Sequence, residues 1–161
     1  MSGWSNQKEI KQSVPTSLLP WLEYSESMTA RMKSRSTTYS IAVLEEGWRV
    51  PEPDVQNKLA LSPDELIWLR GVQITCDEKP VMLAKSFFPK PFLNQFEEGI
   101  TSLGENSLGE ILFTQPDLTR SDFEFGYFSM WARQSVLNIT SKAFLLREFF
   151  IPSDMYGHDY L

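Results

Sequence analysis

From Glu65 to Pro89 the chain reads ELIWLRGVQITCDEKPVMLAKSFFP, two alternating runs around an acidic turn, and this stretch restricts the fold more than any other. Leu66, Trp68, Val72 and Ile74 fall on one parity of the first run, and Arg70 shares it. In the second run Val81, Leu83 and Phe87 share a parity with Lys85. A two-residue turn at Asp77-Glu78 sets Arg70 directly opposite Lys85, so that two like charges lie side by side on an apolar face. Desolvation and repulsion disfavour such a pair unless an anion offsets it, which points to a bound dianion. The opposite parity (Ile67, Leu69, Met82, Ala84, Phe88) is nearly as apolar. If that is the core face, both cations point into water, and a slip of one residue on either strand also separates them. Alternation alone does not choose.

Composition bounds what could hold such a pair. At 161 residues with 42% apolar and 13% aromatic content, the chain supports one domain with a full core. Fifteen Lys and Arg against twenty-one Asp and Glu give a net charge of −6 with no basic run, which argues against nucleic acid as a partner. An acidic chain that binds an anion must do so with a few placed cations. Cys76 is the single cysteine, so there is no internal disulfide and no thiol metal site, and a reducing cytoplasm is the expected location. The lone His158, in the polar YGHDYL tail, leaves no Ser-His-Asp or Cys-His triad and no multi-histidine metal centre; it reads as a solvated terminal residue. No apolar run approaches the roughly 18 residues of a membrane span, and no leader pattern is present.

Residues 1–15 are unpatterned and read as a loose lead-in, followed by one domain over 16–156 and a loose tail over 157–161. Leu18 with Leu22, and Met28 with Met32, have helical spacing, and Ser25 and Ser27 are candidate caps. Met28 fills core or covers something. Thr38–Val50 reads as a strand with a bend or bulge at Gly47, and the proline-bearing PEPDVQNKLALSP as an extended surface loop. Beyond the hairpin, Phe92, Phe96 and Ile100 make one stripe of a helix. Ser107-Leu-Gly-Glu110 is a capping box that puts Leu108 in the first turn of the next helix, as core or lid. Three strand-like runs close the chain: Asp122–Trp131, Ala132–Ile139 and Ala143–Ile151, with a turn at Thr140-Ser141-Lys142. In the last, Phe144, Leu146 and Phe150 share a parity with Glu148, while Arg147 lies on the other. Strands joined by tight turns with short helices between them give an α+β fold, one antiparallel sheet of about six strands.

The segments LLPWLEYSESMTARM, WLRGVQITCDEKPVMLAKSFFP, SLGEILF, LTRSDFEFGYFSMWARQS and LLREFFIP, in that order and spacing, resemble the chorismate pyruvate-lyase family over nearly the whole chain. The resemblance implies flap-like helices over a buried ligand pocket, and elimination of pyruvate from chorismate to give 4-hydroxybenzoate for ubiquinone, with no metal or organic cofactor. It carries binding roles onto Met28, Arg70, Leu108 and Glu148. Where the family has Gly-Arg in the second hairpin strand, this chain has Ala84-Lys85; lysine keeps the charge but loses the planar fork.

In the chemistry so implied, Arg70 grips the ring carboxylate and Lys85 meets the carboxylate or ether oxygen of the departing group. Glu148 bonds the ring hydroxyl or moves a proton, and Met28 and Leu108 press on the ring and exclude water. A monomer acting on a small molecule is expected. The alternative is a non-catalytic anion-binding domain of the kind that serves bacterial transcription regulators as an effector domain, or a degenerate lyase that retains product binding only.

Overall fold

The computed structural model describes residues 3–6 and 10–161. The remainder of the lead-in expected over 1–15 lies outside the described residues. Two turns organise the sheet. Strands β1 (Tyr39–Arg49), β2 (Ile67–Cys76) and β3 (Lys79–Pro89) follow one another antiparallel, and β2 turns into β3 through Asp77 and Glu78, at φ 50° and 67°. Both central residues are left-handed, as a two-residue hairpin with right-handed twist requires. Asp77 offsets part of that strain by accepting from the Thr37 and Thr38 amides at 2.7 and 2.9 Å. The same device joins β6 (Trp131–Ile139) to β7 (Lys142–Phe150). Thr140 and Ser141 are left-handed there, and the Thr140 amide and hydroxyl both donate to Asp117.

The strand order is β1-β2-β3-β7-β6, with β4 (Thr119–Arg120) and β5 (Glu124–Tyr127) both pairing with β6 along its free edge. Seven strands thus form one antiparallel sheet. Helices α1 (Leu19–Leu22), α2 (Met28–Ser34), α4 (Lys90–Thr101) and α5 (Leu108–Leu112) cover one face, and α3 (Pro53–Leu59) packs on the other. Ser27 caps α2 by accepting from the Ala30 amide. Ser107 occupies the cap position of α5 but makes no capping bond, because its hydroxyl is engaged with Thr29. Helix α4 kinks at Phe96.

Two bulges set the register. Between Ile74 and Thr75 the β2–β3 pairing shifts by one, so that Val81 is the extra residue; Arg70 then pairs with Ser86, and Lys85 with Gly71. The expected facing pair of Arg70 and Lys85 does not form, and the physical reason lies beside the turn. Pro80 has no amide to give the ladder, and prolines inside sheets favour bulges. The second bulge, at Leu44 rather than Gly47, sets Glu46 against Arg70 and Glu45 against Gly71. Two rows of side chains result on opposite faces. Glu46, Arg70, Ser86, Leu146 and Ser135 run across one face, and Glu45, Gly71, Lys85, Arg147, Gln134 and Glu124 across the other.

Gly71 is needed in the second row, since a Cβ there would stand 2.8 Å from Glu45 Cγ, across which Glu45 reaches Lys85 at 3.9 Å. Arg147 in the same row donates to Gln134 at 2.8 Å.

Three further expectations are corrected. The PEPDVQNKLALSP segment contains α3, with Pro53 at its first turn, where the fixed φ suits a helix start and the missing amide costs nothing, and with Val55 fully buried. Val14 is buried and Ser5 bridges to Phe125, so the lead-in is anchored at these two points although Lys11, Gln12 and Ser13 are exposed. The tail is anchored through one residue: Tyr160 is buried and its hydroxyl donates to the Phe150 carbonyl at 2.6 Å, while Asp159 and Leu161 are exposed. His158, in the same tail, is exposed.

The bulge itself is held from the C-terminal side. The Val81 carbonyl accepts from the Ile151 amide at 2.9 Å and from the buried Tyr156 hydroxyl at 2.6 Å. Tyr156→Phe should therefore lower stability by about 1 kcal/mol. Urea unfolding should show this as an earlier midpoint at constant slope; an unchanged midpoint would mean that the hydroxyl does not hold the bulge.

Candidate functional site

Most of the sheet face under α1, α2, α4 and α5 is filled by two apolar clusters. One, around Met28, Met32, Ile41 and Met82, belongs to α1, α2 and the C-terminal turns; the other, around Phe88, Phe92 and Phe144, belongs to α4 and α5. Between them lies a cavity of about 80 Å³. That is several times the 10–15 Å³ or so that one water requires. Its floor is the β2–β3–β7–β6 face, and its roof is Met28 and Thr29 of α2 with Ser107, Leu108 and Gly109 at the start of α5.

The roof is tied together across its seam. Thr29 and Ser107 hydroxyls hydrogen-bond at 2.8 Å, and Lys33 pairs with Glu110 at 2.7 Å. A side chain at Gly109 would meet Thr29 Oγ1 at 3.3 Å, so the glycine lets the two helices close. Tyr39 reaches Thr29 from below, and burial raises its pKa.

Apart from the exposed Glu26 at the rim, the charged groups of the cavity lie in two places. At one, Arg70 is 2% exposed. Its Nη2 donates to the Asn106 carbonyl at 2.9 Å, which links the guanidinium to the loop that enters α5. Nη1 lies 3.6 Å from Glu46 and has no hydrogen bond, though it is buried. Burial lowers the Arg70 pKa and Glu46 partly restores it. At the other, Glu148 lies between two arginines. Arg133, its cross-strand neighbour and fully buried, donates from Nε to Glu148 Oε1 at 2.8 Å. Arg120 approaches the same oxygen at 3.5 Å. Glu148 Oε2 takes no hydrogen bond among the described residues.

Arg133 is fixed from behind: its Nη1 donates to the carbonyls of Leu22 and Tyr24 at 3.0 and 2.5 Å, where the chain leaves α1. Its guanidinium lies 4.2 Å from the Phe123 ring.

The structure therefore brings Met28, Arg70, Leu108 and Glu148 to one cavity and turns Lys85 to the other face of the sheet, beside Glu45 and Arg147. Arg120 and Arg133 were not expected there. The signal for Arg133 was present, since in WARQSVLNI it shares a parity with Trp131, Leu137 and Ile139, the same pattern that singles out Arg70. Arg120 sits in a two-residue strand, too short for any periodicity. Among the described residues no cluster of three or more His, Cys, Asp or Glu side chains could hold a metal ion, and no helix is long and apolar enough to cross a membrane.

Fold and cavity together define a class: an α+β domain with a small cavity, lined by buried charges and apolar side chains, between one sheet and a helical roof. The effector domain of PhnF from Mycobacterium smegmatis shares the fold, with a TM-score of 0.58 and 12% identity over 78% of this chain and 88% of that one. The C-terminal domain of a histidine utilization repressor from Pseudomonas syringae gives 0.55 at 8% identity, over 70% and 91%. At such identities the likeness is one of fold alone.

The sequence is more specific. The chorismate lyase family model matches residues 2–160, and the chain belongs to that family. A chorismate pyruvate-lyase of Escherichia coli is 34% identical over 148 residues, covering 91% of this chain and 88% of the relative. One from Erwinia tasmaniensis is 34% identical over 143 residues, covering 88% and 82%.

Removing Arg133 leaves the buried Glu148 with only the longer 3.5 Å contact to Arg120, and Arg133→Ala should cost about 3 kcal/mol. The triple variant Arg120→Met, Arg133→Met and Glu148→Met, which removes the whole charge cluster, should recover much of that stability. Chemical unfolding of both checks it; a triple variant no more stable than the single one would mean that the cluster itself, rather than an under-compensated charge, sustains the fold.

Proposed function

We propose that the protein is a chorismate pyruvate-lyase, converting chorismate to 4-hydroxybenzoate and pyruvate in the cytoplasm for ubiquinone synthesis. The observation that carries the reading is the buried cavity with a cation at one position and a carboxylate at another, Arg70 and Glu148, and with apolar walls between them. 4-Hydroxybenzoate has the matching polarity, a carboxylate and a hydroxyl at opposite ends of a flat apolar ring.

In this reading Arg70 takes the ring carboxylate with the Nη1 group that the protein leaves without a hydrogen bond. Glu148 accepts the ring hydroxyl on Oε2, its other oxygen being engaged by Arg133. Met28 and Leu108 lie against the ring from the roof and keep water out. The reaction breaks the ether bond between the ring and the enolpyruvyl group and the C–H bond at the neighbouring ring carbon. A ring double bond forms, and the proton ends on the methylene carbon of the departing enol, making the methyl group of pyruvate. No oxidant or reductant is consumed. Aromatisation supplies the driving force, so the side chains need only position the substrate and balance charge as the ether cleaves.

Purified protein incubated with chorismate should release pyruvate and 4-hydroxybenzoate in equal amounts; tight binding of both compounds without pyruvate release would favour an anion-binding role. Arg70→Ala and Glu148→Gln should each lower kcat/KM at least about 100-fold, the range expected for a lost charge-assisted contact in a dry site.

Lys85→Ala should change kcat/KM by less than about threefold, since the ammonium is off the cavity face. A loss from Lys85→Ala as large as that from Arg70→Ala would restore lysine to the site.

The roof must open to let an aromatic product leave, and the Thr29–Ser107 bond resists opening. A pre-steady-state burst of 4-hydroxybenzoate is the expected signature, and Ser107→Ala should raise the steady rate that follows it. A linear onset would place the slow step before product formation.

A further inference from the structure

Chorismate carries two carboxylates, and Arg70 accounts for one. The register that turns Lys85 away leaves the second without its expected partner, and the cavity supplies another cation. Arg120 lines it from β4, toward the opposite edge of the sheet from Arg70 on the same face: the cross-strand row from Arg70 passes Ser86 and Leu146 to Ser135, whose hydroxyl accepts from Arg120 Nε at 2.8 Å. Three strand spacings separate the two ends of that row, roughly 14 Å at the backbone.

The Arg120 side chain is 11% exposed and lies 4.6 Å from the Phe123 ring and 5.8 Å from the Phe113 ring. Its remaining contacts are long, 3.3 Å to the Ser25 carbonyl and 3.5 Å to Glu148. A guanidinium has five N–H groups, so a fork remains to be filled. Among the buried groups at this end of the cavity, Arg120 and Arg133 both face Glu148; the other carboxylate of the lining, Glu26, is exposed and forms no ion pair with Arg120. Burial pulls the Arg120 pKa down to about 10, with Glu148 raising it and Arg133 lowering it. An added anion relieves both effects. Arg120 also borders two outer clefts, one with Ser121 and Phe123 and the other with Ser27 and Thr119, so it divides the cavity from the surface.

We infer that Arg120 binds the carboxylate of the enolpyruvyl group, the role expected of Lys85, and holds the smaller product at the edge of the cavity nearest solvent. The inference rests on the lyase reading and assigns to that reaction a residue that touches the leaving group and leaves the retained ring to Arg70 and Glu148.

The test compares wild type, Arg120→Gln and Arg120→Lys in two measurements: turnover of chorismate, and calorimetric affinity for 4-hydroxybenzoate, which lacks the second carboxylate. Arg120→Gln should lower kcat/KM for chorismate by roughly 30- to 100-fold while 4-hydroxybenzoate affinity stays within about threefold, and Arg120→Lys should recover at least about tenfold of the loss. An equal loss in both measurements would overturn the inference, because Arg120 would then act by propping Glu148; so would turnover within about threefold of wild type. Should Arg120→Gln fail to fold, Arg120→Lys decides: a selective loss of chorismate turnover supports the inference and an equal loss in both removes it. If wild type releases no pyruvate, the lyase reading fails separately, and calorimetry with chorismate decides between weaker binding to Arg120→Gln, as inferred, and unchanged binding, against it.

Discussion

One extra residue in a strand decides which charges face the cavity. The hairpin turn at Asp77-Glu78 aligns the two strands so that Arg70 would face Lys85, and the bulge at Val81 cancels that alignment by one position. A slip of one exchanges the two faces of everything beyond it. Ser86, small and neutral, thereby becomes the neighbour of Arg70, and Lys85 moves to a row of polar groups on the opposite face. The bulge is braced by the Tyr156 hydroxyl, so a residue near the end of the chain helps to define a pocket built mainly from its middle.

The charge balance follows from that register. Arg70 keeps one carboxylate, Glu46, which the bulge at Leu44 brings alongside it, and Glu148 is enclosed by Arg133 and Arg120. An isolated buried ion costs several kcal/mol, and a buried pair is tolerated only when its hydrogen bonds are met. The Arg133–Glu148 pair meets most of them through the carbonyls at the end of α1, so the carboxylate is held on rigid structure before any ligand arrives. The Arg70 Nη1 group, 3.6 Å from Glu46, is buried without a hydrogen bond.

Much of the fold was legible in the residues. Alternation located the hairpin strands and those of the last third, and the φ values of Asp77, Glu78, Thr140 and Ser141 match the turns read at those positions. The parity that put Arg70 and Glu148 on apolar faces is the one the structure displays. Other features were hidden for identifiable reasons. A bulge is invisible to a period of two, although Pro80 beside the turn was a local sign of it. Helix α3 was masked by its prolines, one of which begins it. Packing of Tyr160 depends on contacts far along the chain that no local pattern encodes. Arg120 gave no signal because its strand is two residues long.

Ligand dissection on the unmodified protein examines the two-ended cavity without disturbing its register. Calorimetry would compare 4-hydroxybenzoate with benzoate, which lacks the hydroxyl opposite Glu148, and with 4-hydroxybenzamide, which lacks the charge opposite Arg70. If both ends are engaged at once, each truncated ligand should bind about 10- to 100-fold more weakly than 4-hydroxybenzoate. Equal affinity for all three would contradict a site built from Arg70 and Glu148.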